Sequence, residues 1–272
     1  MEARVHRSPA EFREAAWPLL SSDPVRNTVP LTAMAHIEDA TVMITLVDNG
    51  NVVGSVVRLP PYPLLVTVMP VEAAALVAET VHGMEPSLAS VGRIVDRAEA
   101  FKAAWTGLTG TKAEQTLATR LFELRELKVP AVEGEARVAT EDDLPLMTEW
   151  RRLFMVEALP AIVAERADSQ ARRSLEPGNI NIFWEVDGKP ASFAAARGPI
   201  SGMVRIGPVY TPPELRGHGY ASAVTAAASQ WAIDQGTEHV LLSTDLANET
   251  TNRIYPRIGY EPVEDFIEYS FS

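Results

Sequence analysis

Apolar positions come in two interleaved periods along this chain, one of two residues and one of about 3.6, and the alternation between them repeats. "ITLVDNGNVVGSVVRLPPYPLLVTVMP" (44–70) predicts a strand, an Asp-Asn-Gly turn, a second strand, a proline break and a third strand ending at Pro70. A helix ("VEAAALVAETVHG"), a strand ("SLASVGRI"), a helix ("VDRAEAFKAAWTG") and a strand-like "ATRLFELREL" follow.

The order then returns. "NIFWEVDGKPASFAAARGPI" (181–200) is two extended segments joined at Asp187-Gly188, and "GMVRIGPVYT" is a third that stops before Pro212-Pro213. "GYASAVTAAASQWAIDQG" carries Ala221, Val224, Ala228 and Trp231 at helical spacing, with Gly236 as its C-terminal cap. "HVLLSTDL" is a short buried-type strand, "ANETTNRIYPRIG" a short helix with Asn248 as candidate N-cap, and "DFIEYSF" a strand. Few residues are identical between the halves, so this is a repeat of pattern. Between them "LKVPAVEGEARVATEDDLP" (127–145) mixes proline, glycine and acids without periodicity. It sets a domain boundary near 131, giving domains 1–130 and 131–272. The second opens with Thr140 as N-cap of a helix whose Leu146, Trp150, Leu153 and Phe154 share a face. A further helix is predicted through "PAIVAERADSQARRSLEPG" (160–178).

Composition narrows the chemistry. Apolar residues make up 46% and charged residues 22%, the profile of a folded globular protein. No apolar run is long enough to span a membrane, and "MEARVHRSPAEFREAAW" lacks the apolar core of a secretory signal, so a cytoplasmic location is expected. With no cysteine there is no thiolate nucleophile and no thiolate metal site, and no metal is expected. A net charge of −12 without a basic run argues against nucleic acid as partner and weakly favours a small cation.

Only the second half has a glycine-rich connection from strand to helix. In "VYTPPELRGHGYASA" (209–223), Arg216, Gly217 and Gly219 stand just before the helix that begins at Tyr220. A helix start leaves backbone N–H groups unpaired with a partial positive charge, and glycines let a phosphate approach them. A Walker-type loop is absent, "GLTGTKA" (107–113) being only a decoy. A dinucleotide-binding oxidoreductase stays as an alternative, since Gly217-x-Gly219-x-x-Ser222 with Asp245 imitates its spacing. Ser222 in place of the third glycine and the two intervening prolines count against it.

Arg216-x-x-Gly219-x-Ala221, between "IGPVYT" and an alanine-rich helix, resembles the acyl-CoA loop of the GNAT N-acetyltransferase superfamily, whose signature is Arg/Gln-x-x-Gly-x-Gly/Ala. "TDLANETTNRIYPRIGYEPV" (244–263) resembles that family's second CoA motif, and both in order cover about 135–272. The first half looks like a degenerate copy, with "PVEAAALV" where the loop belongs, as in tandem members. The resemblance implies an α/β fold of two GNAT-like domains, each a mixed, mostly antiparallel central sheet flanked by helices. It implies an N-acetyltransferase using acetyl-CoA. The pyrophosphate would rest on the N–H groups of Gly217, His218, Gly219, Tyr220 and Ala221, with Arg216 adding charge or ordering the loop. Val209, Tyr210 and Thr211 would lend main chain to the pantetheine. Asn248 and Asn252 would cap the helix or bond CoA amides, and Tyr255 would protonate the departing thiolate. Pro256, directly after it, is expected to push Tyr255 out of helical geometry.

No general base stands out. Glu185 and Asp187 lie at a hairpin turn; Glu157 would face the acceptor, with Trp150, Phe154 and Trp184 as walls. The acceptor stays open among a small amine, an amino acid, an aminoglycoside-like compound and a protein terminus. A non-catalytic CoA-binding regulatory module is the alternative from another class, and a monomer or a homodimer is expected.

Overall fold

A computed structural model describes residues 1–158 and 167–272, with backbone alone at 35 and 36. The helix expected through 160–178 is therefore described only from Ala167 (its earlier residues lie outside the described ones). Two compact units emerge, Met1–Leu121 with Val263–Ser272, and Phe122–Pro262. The division thus falls between residues 121 and 122, against the expected 131, and residues 263–272 go with the first unit.

The first half runs β1 (Glu2–Val5), α1 (Pro9–Ser21), α2 (Thr28–Ala33), β2 (Val42–Asp48), β3 (Asn51–Arg58), β4 (Leu64–Val68), α3 (Ala74–Met84), β5 (Ser90–Ile94), α4 (Val95–Thr109) and β6 (Ala113–Leu124). The second repeats the series as β7 (Glu135–Val138), α5 (Leu144–Ala158), α6 (Ala167–Arg173), β8 (Ile180–Val186), β9 (Lys189–Ile200), β10 (Met203–Tyr210), α7 (Tyr220–Asp234), β11 (His239–Asp245), α8 (Glu249–Arg257) and β12 (Tyr260–Phe271). Each series opens with the same tetrapeptide. Glu2-Ala3-Arg4-Val5 forms β1 and Glu135-Ala136-Arg137-Val138 forms β7, inside the stretch expected to be a linker. Four residues with two charges make a weak strand signal, and pairing to β2 and β8 supplies the rest.

In the first unit the strand order is β1-β2-β3-β4-β5-β12, antiparallel except for β4 beside β5. In the second it is β7-β8-β9-β10-β11, antiparallel except for β10 beside β11. Each sheet is mixed, mostly antiparallel and flanked by helices. The hairpin turns explain the strand register. Asn49-Gly50 (φ 49° and 82°), Asp187-Gly188 (50° and 68°) and Ser201-Gly202 (48° and 76°) each put two successive residues at positive φ. Tight turns of this kind match the strands' twist.

Separate cores fill the units. Val77, Val81, Phe101, Trp105 and Tyr269 are buried with β2–β5 in the first. In the second, Val224, Ala228 and Ala232 of α7 press against Ile180, Ile182, Ala194, Ala196 and Val204. Alanine at these helix positions brings α7 close to the sheet, which sets where its N-terminus points.

Candidate active site

Parallel pairing of β10 with β11 is limited to Met203–Arg205 against His239–Leu241. Beyond Arg205, β10 still pairs with β9, through a register shift between Ile206 and Val209. Gly207, at φ 151°, occupies that bulge. The β11-facing edge of the last β10 residues is thus left without a strand partner, a place where an extended ligand can pair with main chain.

The loop after β10 leads straight to the start of α7. Gly217 and Gly219 have φ of 87° and 85°, in the region that side-chain-bearing residues rarely enter. A Cβ on Gly217 would meet open space, whereas one on Gly219 would lie 3.1 Å from Val132 Cγ2. Gly219 caps α7 without a side chain, and the first helical bond runs from Ala223 N to Gly219 O at 3.0 Å. The N–H groups of Tyr220, Ala221 and Ser222 precede that bond and have no side-chain cap. Free donors, a helix dipole and a bare approach over Gly217 suit a diphosphate. The exposed His218 ring stacks on Tyr220, centroids 5.4 Å apart, and hydrogen-bonds to nothing among the described residues.

Arg216 orders this loop. Its Nε donates to Thr211 O at 2.9 Å and its Nη2 to Glu157 Oε2 at 2.7 Å. Both side chains of the ion pair are nearly half exposed. Ser192 had no signal in the sequence, because its role is made across strands: its Oγ donates to Tyr210 O at 3.0 Å and lies 2.8 Å from Thr211 Oγ1. Val209 packs at the edge of the second unit's core.

Asn248 caps α8, its side chain accepting from Thr251 N at 3.2 Å. Asn252 Nδ2 donates to Asp245 O (2.9 Å), Leu246 O (3.2 Å) and Asn248 O (2.9 Å), while its Oδ1 has no partner among the described residues. Asp245 accepts from Ala247 N at 2.8 Å in a local turn. With Asp245 spent on that turn and a largely antiparallel sheet, the dinucleotide reading loses its fold.

Tyr255 lies in α8, and Pro256 does not displace it: the helix continues to Arg257. Near a helix end the N–H that proline lacks costs one bond at most. Tyr255 is buried against Phe122 and Tyr260, ring centroids 6.1 Å away in each case. Burial pushes its phenol up to about 12. Its hydroxyl bonds to no described residue and is not among the sealed, unpartnered polar atoms.

The other candidates separate. Glu185 is paired with Arg137 at 2.6 Å, and Asp187 sits in the turn. Trp150 packs edge-on against Phe183 and Phe154 against the same cluster, whereas Trp184 donates to Glu133 O at 2.9 Å. The "GLTGTKA" glycine Gly110 closes α4 as its left-handed cap. No group of three potential metal ligands occurs among the described residues, and no described helix is long and apolar enough to cross a membrane.

Comparison with known proteins bears on this arrangement. Residues 144–260 match the acetyltransferase (GNAT) family. Over 61 residues the chain is 30% identical to an aminoglycoside N(6')-acetyltransferase type 1 of Serratia marcescens. That match spans 22% of this chain and 42% of the relative, less than half its length. A GNAT-family acetyltransferase from Colwellia psychrerythraea superposes with a TM-score of 0.67 at 14% identity, covering 100% of both chains. A tandem GNAT protein from the clavulanic acid biosynthesis pathway gives 0.63 at 13% identity, over 99% of this chain and 98% of that one.

Proposed function

We propose that the protein, whose residues 144–260 match the acetyltransferase (GNAT) family within a fold shared with a tandem GNAT protein, moves an acetyl group from acetyl-CoA to an amine. The parting of β10 from β11, followed along the chain by the uncapped start of α7, carries this reading.

When bound, acetyl-CoA supplies a thioester that an amine attacks directly, so no protein nucleophile is required. The main chain of Val209, Tyr210 and Thr211 holds the extended arm. The N–H groups of residues 217–221 hold the diphosphate, with Arg216 keeping the loop in shape. A free N–H on β10 steadies charge developing on the thioester oxygen. Tyr255 gives a proton to the departing sulfur. At about 12 its phenol is a weaker acid than a thiol at ~8.5, so the transfer accompanies C–S cleavage. The phenolate then takes up the proton that the attacking nitrogen sheds on becoming an amide. Asn248 and Asn252 set the start of α8 and thereby the place of Tyr255.

The first unit takes no CoA in this reading. Pro70 leads into a single 3₁₀ turn at Val71–Ala73, with exposed Val71 and acidic Glu72 where the second unit has glycines. There β4 also leaves β5 after Leu65, yet the Thr67 carbonyl beyond that point accepts from Arg97 of α4. The chain's own side chain occupies the place that a ligand would need.

The test is release of free thiol from acetyl-CoA across a panel of amines. Turnover with any amine supports the transferase. Tight acetyl-CoA binding with no thiol release across the panel leaves the regulatory module instead.

A further inference from the structure

Where the ladder between β9 and β10 runs out, a side chain takes over. Val209 pairs with Ala194 and Tyr210 with Phe193, so Thr211 would come next, opposite Ser192. Pro212 and Pro213 follow with no N–H to give a strand, and β10 ends at Tyr210. Ser192 is fully buried, and its Oγ donates to Tyr210 O at 3.0 Å. A hydroxyl carries one proton, so in the 2.8 Å contact with Thr211 Oγ1 the threonine is the donor. Thr211 O in turn accepts from Arg216 Nε. Both carbonyls and the threonine hydroxyl are thus held by side chains, on a run that β11 no longer supports.

Packing alone does not ask for a hydroxyl here. Ser192 alternates onto the face of β9 that carries Ala194 and Ala196, both in the core with α7. The first unit has the same position without it. The closing pairs of the two hairpins are Asp48 with Asn51 and Val186 with Lys189, and counting from them Ser192 corresponds to Gly54. Leu46 pairs with Gly54 as Trp184 pairs with Ser192. A Cβ on Gly54 would lie 2.9 Å from the oxygen of Val68, the last residue of β4, which leaves no room for a side chain. The clamp belongs to the unit that has the glycine-rich loop.

We propose that Ser192 is a positioning residue for acetyl transfer: it fixes the main chain of Tyr210 and Thr211, against which the thioester of acetyl-CoA lies. The inference deepens the acetyltransferase reading and rests on it. Ser192 acts through the Tyr210 carbonyl and the Thr211 hydroxyl. A reacting group displaced by about 1 Å loses roughly 10²-fold in rate. Affinity is set largely by the N–H groups at the start of α7, to which Ser192 does not bond.

The experiment reads kcat, acetyl-CoA affinity and amide hydrogen exchange in Ser192→Ala, Thr211→Val and the double variant. Ser192→Ala lowers kcat about 10- to 100-fold per calorimetrically counted acetyl-CoA site, with a dissociation constant within about 3-fold of the wild type. A merely structural serine would lower the melting temperature and the number of sites and leave kcat per site unchanged, a result that overturns the proposal. Thr211→Val costs less, because the bond from Ser192 to Tyr210 survives it, and the double variant loses no more than Ser192→Ala alone. Losses that multiply in the double variant overturn the clamp. Exchange reads the same clamp without chemistry. With acetyl-CoA bound, the amides of residues 209–211 exchange about 10-fold or more faster in Ser192→Ala than in the wild type, and those of 220–223 do not change. A wild type that acetylates no amine sinks the transferase reading, while this exchange difference still upholds the placement of the thioester. Equal exchange at 209–211 sinks that placement in either case.

Discussion

Gly217 and Gly219 share a backbone conformation and differ in what surrounds them, so substitution separates strain from obstruction. Alanine at 217 enters left-handed φ at a cost of about 1–2 kcal/mol and meets nothing, so stability falls while the loop keeps its shape. Its methyl narrows the open approach that a diphosphate would use, so acetyl-CoA affinity, read by calorimetry, should drop. Valine at 219 additionally strikes Val132, so it should lower the melting temperature further than Gly217→Ala. Tyr255→Phe should reduce kcat by roughly 10- to 10⁴-fold with little change in acetyl-CoA affinity, because a proton donor acts in the transition state. With the phenol near 12, Tyr255 stays protonated through pH 10, so no alkaline fall in kcat below that pH belongs to it. Its raised pKa also adds stability that is complete below about pH 10 and disappears as pH rises through 12. A thermal melt that stays level from pH 9 to 12 would contradict this. Of the candidate site, the glycines and Arg216 were legible from the strand-to-helix connection, and Tyr255 was pointed to only by the family resemblance. Ser192 and Val132 were not, since their contacts join residues far apart in sequence.

The start of α5 shows how an element records its own boundary. Thr140 Oγ1 and its N–H both engage Asp143, and Arg137 of β7 clamps the same carboxylate at 2.7 and 2.9 Å. Arg137 holds Asp143 down at about 2, with burial opposing and the Thr140 N–H assisting. A lowered carboxylate contributes above its unfolded pKa of ~3.9 and stops contributing as pH falls towards 2. Asp143→Asn should therefore cost about 2 kcal/mol at pH 7, and the gap from the wild type should close near pH 2 in denaturant titrations. The cap was visible in Thr140-Glu-Asp-Asp, and the hairpins in Asp-Asn-Gly and Asp-Gly. Strand β7 was not, because a short edge strand takes its conformation from β8 and carries little signal of its own. Pro256 misled for the opposite reason: its strong local signal is overridden at the last turn of α8.

For the whole molecule, the repeat of strand order was legible and the exact division was not, because no local feature says which sheet a strand will join. One acetyl-CoA per chain is expected by calorimetric titration, and two equivalent sites would contradict the plugged edge of β4. The allocation of β12 bears on more than domain limits. Phe266–Ser270 pair with Ile94–Ser90, Phe266 lies 4.0 Å under the Arg93 guanidinium, and Tyr269 closes the first core. On the ribosome, β5 leaves the exit tunnel beside β4 while its other partner, β12, is still unwritten. At about 5–20 residues per second, residues 90–94 wait roughly 10–35 s for residues 266–270. Through that interval the nascent first half has an open strand edge, a template for pairing with neighbouring chains on the same message. The half that is made first is finished last. Stalled nascent chains ending near residue 262 should accordingly be cut by protease within residues 1–121, with protection of that segment arriving only once residues 263–272 have emerged.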